Sequence, residues 1–330
     1  MAGRKVVLYH AWSRPGEAGA PLEVIENRYQ TLFEIRRILY PTFEELSDPA
    51  RFDQSINGYL GRVMRQNFAA FVKQAGGQTG RRVVEIERIA DDGVQTGLDA
   101  ALADGPDTLI VISLDCIRTR QQASAAEVEA VRRFLAHPDH LAFICPHHDV
   151  GDLPDLPDDE RMERQVAEFL HHGDRSLAPQ HRLSGFARSL LAELGVGVEN
   201  RFGLHAAAES DGSPAAIECE SALDRLHLLR GVDTFNLHPH LPQLERLQGT
   251  ATKLDVLVRQ KINLTAPPHP FTRNGRTTFD ALLQSKPGIF AGNLLVGDVT
   301  LFFSTAGGVD SLRQFWTNIV ERRNSLYSRT

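Results

Sequence analysis

The residues best suited to chemistry in this chain lie in two short segments rich in histidine. Residues 145–149 read Cys-Pro-His-His-Asp, and residues 238–240 read His-Pro-His. Thiolate, imidazole and carboxylate groups are common ligands of zinc, iron, cobalt and nickel in proteins. Imidazole is also the side chain used most often as a general acid or base. The two segments therefore predict a site for acid–base or metal-assisted chemistry.

The spacing within each segment indicates which side chains can act together. Alternate residues of an extended backbone face the same side, so His238 and His240 are expected to point together. If both segments reach one edge of a sheet, three or four imidazoles can converge and leave a position for an activated water. The predicted metal ligands are His147, His148, His238 and His240. The predicted catalytic residues are Cys145, His148, His238 and Asp149, with Asp149 orienting a histidine.

The predicted cofactor is a divalent transition metal (Zn, Fe, Co or Ni), and an alternative is a site without a cofactor. In the alternative, a histidine itself acts as the base. The alternative to a catalytic or metal-binding role is a purely structural one. Cys145 would then be a small core residue, as free cysteines often are, and the histidines would be solvated or hydrogen-bonded loop residues.

The elements that must position these groups follow from the apolar pattern. Residues 141–145 form an apolar run of strand length, which predicts a buried parallel strand whose carboxyl end opens into the site. Further buried strands are predicted at residues 5–9, 83–86 and 108–113, alternating with helical patterns. Ser124 with Glu127 has the spacing of a capping box at the start of one helix. This order predicts an α/β fold with a mostly parallel sheet and helices on both faces.

The remaining elements are predicted from the same periodicity. No internal repeat or break in composition marks a linker, so one elaborated domain spanning residues 1–330 is predicted. The predicted helices cover residues 22–39, 56–72 (ended by Gly76-Gly77), 96–103, 124–135, 160–172, 183–194 and 312–320. Later strands are predicted at residues 216–219, 234–237, 254–258 and 299–303.

Polar residues also follow two other predicted strands, where open α/β sheets bind ligands. His10, Trp12 and Arg14 follow the first strand, and Asp115 follows the strand at residues 108–113. These four are predicted to contact substrate, although a loop cap is an equal alternative for Asp115. Nearby, residues 118 and 120 are arginines that suit an anionic ligand, but solvated surface charge is the default interpretation.

Composition excludes several classes of function. The chain has 330 residues, 42% of them hydrophobic, and a net charge of -6, so it offers no basic surface for nucleic acid. The N-terminal apolar run is too short for a signal peptide or a membrane span. The three cysteines lack paired spacing, which indicates a reducing compartment, the cytoplasm. The expected partner is a small-molecule substrate, and homo-oligomerisation is left open.

The order of elements resembles the class I glutamine amidotransferase-like superfamily, which has a flavodoxin-like fold. In that family a strand ends in a nucleophilic cysteine within G-x-C-x-G, and a downstream His-Pro-Glu supplies the base and its orienting carboxylate. Residues 143–147 look like the first motif and residues 238–240 like the second. The resemblance covers residues 5–240 in order of elements and implies a C-terminal extension. The end of the chain, from Val296-Gly297-Asp298 onward, looks more like non-glutaminase relatives such as the trehalose-utilisation-like proteins.

The departures from the family pattern argue against glutaminase chemistry. Pro146 follows the cysteine and has no N–H to donate to an oxyanion. The loss of one such donor typically costs about 2.7–4 kcal/mol of barrier. Phe143 and His147 replace the flanking glycines, and His240 replaces the glutamate. The sequence therefore favours a hydrolase-type enzyme with a His-rich site. The alternatives are a non-catalytic, degenerate amidotransferase-like protein that binds a ligand or partner, and a Cys-dependent amidase.

Overall fold

The structure is a computed structural model, and it describes residues 3–18, 61, 64–116, 119–148, 157–172, 183–238, 240–304 and 309–322. An eight-stranded mixed sheet forms its centre, in the order β2-β1-β3-β4-β10-β9-β8-β6. Its strands are β1 (Val6–Ser13), β2 (Val84–Ile89), β3 (Thr108–Ile112), β4 (Leu141–Cys145), β6 (Glu218–Cys219), β8 (Leu254–Lys261), β9 (Thr278–Ser285) and β10 (Asn293–Gly297). Two further strands, β5 (Val198–Leu204) and β7 (Leu241–Arg246), pair in a separate antiparallel sheet.

The part of the sheet that carries the histidines is parallel. β2, β1, β3, β4 and β10 run in one direction, while β9, β8 and β6 add antiparallel pairs at the far side. β4 and β10 pair with Leu294 opposite Ala142 and Val296 opposite Ile144, so their carboxyl ends lie side by side. This register places the residues that follow β4 close to the residues that follow β10.

The described helices cover both faces of the sheet. They are α1 (Arg14–Ala18), α2 (Ala69–Thr79), α3 (Leu98–Ala101), α4 (Ala125–Phe134), α5 (Asp158–His172), α6 (Gly185–Glu193) and α7 (Val309–Glu321). Short 3-10 helices occupy Arg65–Phe68, Pro270–Thr272 and Val299–Phe302. No helix among the described residues is both long and apolar enough to cross a membrane.

Alternate residues of the parallel strands enter two separate cores, as the period of a strand requires. Leu8, Ile110 and Phe143 pack in one core with side chains of α2 and α7. Tyr9, Val111 and Ile144 pack in the other core with α3, α4 and α6. The prediction of an α/β fold with helices on both faces is therefore confirmed. The sheet is mixed rather than uniformly parallel.

The structure bears out several predicted elements and corrects others. The capping box is present, since Ser124 Oγ accepts from Glu127 N and Glu127 Oε2 accepts from Ser124 N. Gly76-Gly77 does not end its helix, which continues to Thr79 and is capped by Gly80 in the left-handed region at φ 64°. The predicted helix at residues 22–39 lies outside the described residues, as does the start of the one predicted at 56–72.

Two predicted strands are absent. Residues 234–237 are irregular, and residues 299–302 form a 3-10 helix because Asp298 caps them by accepting from Thr300 N at 2.8 Å. The strand of this region lies earlier, at β10. Strands β5, β7, β9 and β10 were not predicted.

Candidate functional site

The site begins where the two neighbouring strands β4 and β10 end. His147 follows β4 and Asp298 follows β10, and His147 Nδ1 lies 2.8 Å from Asp298 Oδ2. Both side chains are nearly buried. Asp298 Oδ1 accepts from the backbone and hydroxyl of Thr300, so the carboxylate is oriented before it meets the imidazole. The pair selects one tautomer of the neutral His147 ring, in which Nδ1–H donates to Asp298 and the lone pair lies on Nε2.

The backbone of His147 is anchored on both sides. Its N–H donates to Ser184 Oγ at 2.8 Å, and its carbonyl accepts from the Asn200 side chain. Ser184 Oγ in turn donates to Ser113 O at 2.6 Å. Ser184 adopts a left-handed conformation at φ 65°, which is costly for a residue with a Cβ. Strain at a position that orients a polar site is often connected with function.

Asn236 connects the second histidine segment, residues 238–240, to Thr300, which hydrogen-bonds to Asp298. Asn236 Nδ2 donates to Thr300 Oγ1 at 2.9 Å, and its Oδ1 accepts from His238 N at 3.2 Å. Gln260 Nε2 donates to the Asn236 carbonyl at 3.1 Å. These hydrogen bonds connect the loop that carries His238 to the residues that orient Asp298.

Four imidazoles come together as a result, and we call His147, His148, His238 and His240 the histidine tetrad. Ring centres are 4.4 Å apart for His147 and His148, and 5.3 Å for His147 and His238. The other two neighbouring pairs are 4.9 Å apart (His148 and His240) and 5.7 Å apart (His238 and His240). The tetrad is therefore a closed ring of imidazoles from segments about 90 residues apart in the chain.

His238 differs from His147 in the nitrogen that it presents. His238 Nδ1 accepts from His240 N at 3.3 Å, so the neutral ring carries its proton on Nε2. Burial, followed by the neighbouring His147, lowers the pKa of His238 from 6.5 to about 4. His238 is consequently neutral at pH 7 and acts as a hydrogen-bond donor through Nε2.

The positions of the four rings can be compared with those in a metal site. Imidazoles that share one tetrahedral zinc have ring centres about 5 Å apart, given Zn–N bonds of about 2 Å. The separations in the tetrad bracket this value. Among the described residues, however, no group of three or more His, Cys, Asp or Glu side chains is arranged to hold a metal ion. Coordination of a metal by the tetrad therefore requires the imidazole rings to turn.

Cys145 lies at the end of β4 but faces away from solvent. Its side chain is fully buried in the core with Phe143, and its Sγ is 3.9 Å from the Phe143 carbonyl. Burial, and then the nearby Asp298 carboxylate, raise the pKa of the thiol well above 9.0. Because the thiolate is the reactive form, these surroundings suit a core residue better than a nucleophile.

Of the other predicted site residues, Asp149 falls outside the described residues, and the rest lie elsewhere on the same edge of the sheet. Asp115 caps α6, since its Oδ2 accepts from Phe186 N at 3.0 Å and its Oδ1 accepts from Ser113 Oγ at 2.5 Å. Asp115 therefore acts as a cap, which was the alternative to a predicted contact with substrate. Asp298 was not predicted as a site residue, although an aspartate directly after an apolar segment is the signal that identified Asp115.

His10, Trp12 and Arg14 form a separate polar cluster at the end of β1. His10 is fully buried and stacks on Trp12, with ring centres 4.5 Å apart, and its Nε2 is 3.9 Å from Glu85 Oε2. Arg14 pairs with Glu87 through two nitrogens. These contacts connect β1 with β2, two strands away from β4, so the cluster is distinct from the tetrad.

This cluster predicts an acid-sensitive contribution to stability. His10, and then Arg65, lower the pKa of Glu85 from 4.5 to about 2. Because the folded pKa is the lower one, the contribution is fully present above about pH 4.5 and is lost as pH falls toward 2. Glu85→Gln should make the free energy of unfolding less dependent on pH in this range, measured by urea titration. The exposed Glu129→Gln is the control, and equal slopes for the wild type and Glu85→Gln would contradict the assignment.

A further group of histidines has a structural role. His171 Nδ1 donates to the Pro267 carbonyl at 2.8 Å, and its Nε2 accepts from His205 N at 3.0 Å. His269 Nδ1 accepts from Phe271 N at 2.9 Å, which caps a 3-10 helix. Since both His171 nitrogens serve the backbone, this group joins α5 to two loops.

Comparisons with known proteins place few limits on function. No protein-family model and no curated protein matches the chain. Among solved structures, the chain is similar to one described as the mmIFT52 N-terminal domain, with 11% sequence identity and a TM-score of 0.38. The match covers 74% of this chain and 88% of that chain. A TM-score this low supports no argument about fold or activity, so functional inference depends on the site itself.

Proposed function

We propose that this chain is a metal-dependent hydrolase that acts on a small polar molecule at the histidine tetrad. The observation that carries the proposal is the closed ring of four imidazoles, one of them oriented by Asp298. A histidine whose second nitrogen donates to a carboxylate is the usual arrangement of a metal ligand. The partner is a small-molecule substrate, and the cofactor is a divalent Zn, Fe, Co or Ni ion.

The hydrogen bonds of the tetrad assign different roles to its members. His147 offers Nε2 as a ligand because Asp298 takes its Nδ1 proton. His148 and His240 would complete three ligands, the number that leaves one position open for water. A divalent metal held by these residues would supply a water whose pKa is lowered toward neutrality. His238, neutral and protonated on Nε2, would donate a hydrogen bond to the oxygen on which negative charge develops.

The strand order is compatible with this reading. Flavodoxin-like sheets have the order 2-1-3-4-5 and bind ligands beyond the carboxyl ends of their strands. Here β2-β1-β3-β4 has that order, and β10 occupies the fifth position. We therefore infer a flavodoxin-like core, with β9, β8 and β6 as additions, and we keep the amidotransferase-like resemblance as a hypothesis. The buried Cys145 weighs against a Cys-dependent amidase.

The first test is metal content and activity of tag-free protein. We expect about one equivalent of a transition metal by mass spectrometry, and hydrolysis of at least one member of an ester, amide and phosphoester panel. Chelation should abolish that hydrolysis, and the metal should restore it. Protein that carries no metal and takes up none on dialysis would contradict the proposal. Stoichiometric metal without hydrolysis would favour the non-catalytic, ligand-binding alternative.

A further inference from the structure

A cavity of about 580 Å³ lies beside α6, and none of its lining residues belongs to the tetrad. It is bounded by α6, the start of β5 and the loop at residues 120–122. Its polar lining includes Arg120, Arg188 and Glu199, and its apolar lining includes Ala192, Val198 and Leu247. The volume falls within the range of small-molecule sites, which combine apolar surface with a few polar groups.

Arg188 is a hydrogen-bonded cation in the lining of this cavity. Its side chain is 10% exposed, its Nη1 donates to Asn200 Oδ1 at 2.7 Å, and its Nε lies 4.0 Å from a Glu199 carboxylate oxygen. The guanidinium group has five N–H donors in a planar fork, which suits carboxylate and phosphate groups.

Arg120 supplies a second cation at the rim. It is exposed, and among the residues that the structure describes it has no ion-pair partner. Its backbone lies in the left-handed region at φ 52°, which residues with a Cβ rarely adopt. Such strain persists where the surroundings or a function require it. Arg120 therefore adds to the cavity lining a guanidinium group that no carboxylate among the described residues neutralises.

The charged residues that line the cavity favour a negatively charged ligand. The lining contains two arginines and one glutamate, Glu199, so these residues give the cavity an excess of one positive charge. An adjoining cavity of about 600 Å³ shares Gln122 and Ser189 but contains two glutamates and one arginine. An anion is therefore attracted to the first cavity and not to the second.

We propose that this cavity binds a small organic anion, a carboxylate or phosphate ester whose charged end meets Arg120 and Arg188. The apolar part of the anion lies against Val198 and Leu247. The proposal is independent of the metal-dependent hydrolase. The two sites are nevertheless connected, since Asn200 accepts from Arg188 and donates to the His147 carbonyl. An anion that draws Arg188 away from Asn200 would alter the support of the tetrad.

The test is calorimetric titration of the full chain with inorganic phosphate, phenyl phosphate and benzoate at millimolar concentration. We expect phenyl phosphate to bind at least tenfold more tightly than inorganic phosphate, because the apolar lining buries the ring. Arg120→Gln and Arg188→Gln should each weaken phenyl phosphate binding at least tenfold. Arg133→Gln, an exposed arginine on α4, removes the same charge outside the cavity and should change affinity less than twofold.

Three results would overturn the proposal. They are no binding of any probe by the wild type, equal weakening by Arg133→Gln, and unchanged affinity in Arg120→Gln. If Arg188→Gln does not fold, the variant Arg120→Gly can replace it in the binding test. Glycine tolerates the positive φ of residue 120, so this variant should fold. It should raise the melting temperature and weaken phenyl phosphate binding together. A higher melting temperature with unchanged affinity would show that the strain belongs to the turn alone.

Discussion

His147→Ala should reduce the affinity of the protein for its transition metal by at least a hundredfold and abolish metal-dependent hydrolysis. Loss of a residue that only orients a ligand typically costs 10–100-fold in metal affinity, so loss of the ligand itself should cost more. The orientation of His147 is well determined, because its side chain and its backbone are both hydrogen-bonded. Competition with a chromophoric chelator measures the change.

The variant Asp298→Asn tests whether Asp298 orients the His147 ring, without removing His147 itself as a metal ligand. Asparagine keeps an oxygen for Thr300 but presents an N–H to His147 Nδ1, so the imidazole proton must move to Nε2. The nitrogen that faces the tetrad then has no lone pair. We expect about a 10–100-fold loss of metal affinity with little change in melting temperature. His137→Ala, on an exposed turn, is the control. If Asp298→Asn and His137→Ala behave alike, Asp298 does not orient a ligand.

Arg88→Met should destabilise the fold by about 3–5 kcal/mol, the usual cost of leaving a buried charge without its partner. Arg88 donates two hydrogen bonds to Glu127, at 3.1 and 3.0 Å, and both side chains are buried. Glu127 also accepts from Tyr9 Oη at 3.2 Å and caps α4. The pair thus links β1, β2 and α4 on the face of the sheet against which α6 packs.

The double variant Arg88→Met/Glu127→Gln tests the reason for this loss. If the isolated carboxylate is responsible, removing its charge should recover part of the free energy of unfolding. Burial raises the pKa of Glu127, but hydrogen bonds from Arg88 and Ser124 outweigh it and keep the pKa below 4.5. The stabilisation is therefore present at neutral pH and decreases as pH falls through the folded pKa. Urea unfolding at pH 7 measures both variants, with exposed Arg82→Met as control. A loss below about 1 kcal/mol for Arg88→Met would contradict the prediction.

The sequence could predict the histidine segments and the scaffold beneath them. Consecutive apolar residues identified β1, β3 and β4, because strands buried on both faces have no polar alternation. The carboxyl ends of parallel strands share one edge, so a site at residues 145–149 could be predicted without knowledge of its partners.

The features that the sequence did not predict depend on hydrogen bonds made by side chains. Residues 299–303 are as apolar as a strand, but Asp298 caps a 3-10 helix there, and the true strand is β10. With that strand misplaced, Asp298 was not recognised as the neighbour of His147. The segment before His238 is apolar too, yet Asn236 makes its hydrogen bonds to Thr300 and Gln260 instead of to a strand. Side-chain hydrogen bonds of this kind leave no periodic signal in the sequence.

The most direct test of the central claim is a crystal structure of the protein soaked with zinc and measured at the zinc absorption edge. We predict one anomalous peak within the tetrad, about 2.0–2.1 Å from Nε2 of His147 and from a nitrogen of His148 and of His240. His238 should remain uncoordinated, with its Nε2 directed toward the open position. A tetrad without an anomalous peak, or a peak bound only by other residues, would contradict the claim that these histidines form a metal site.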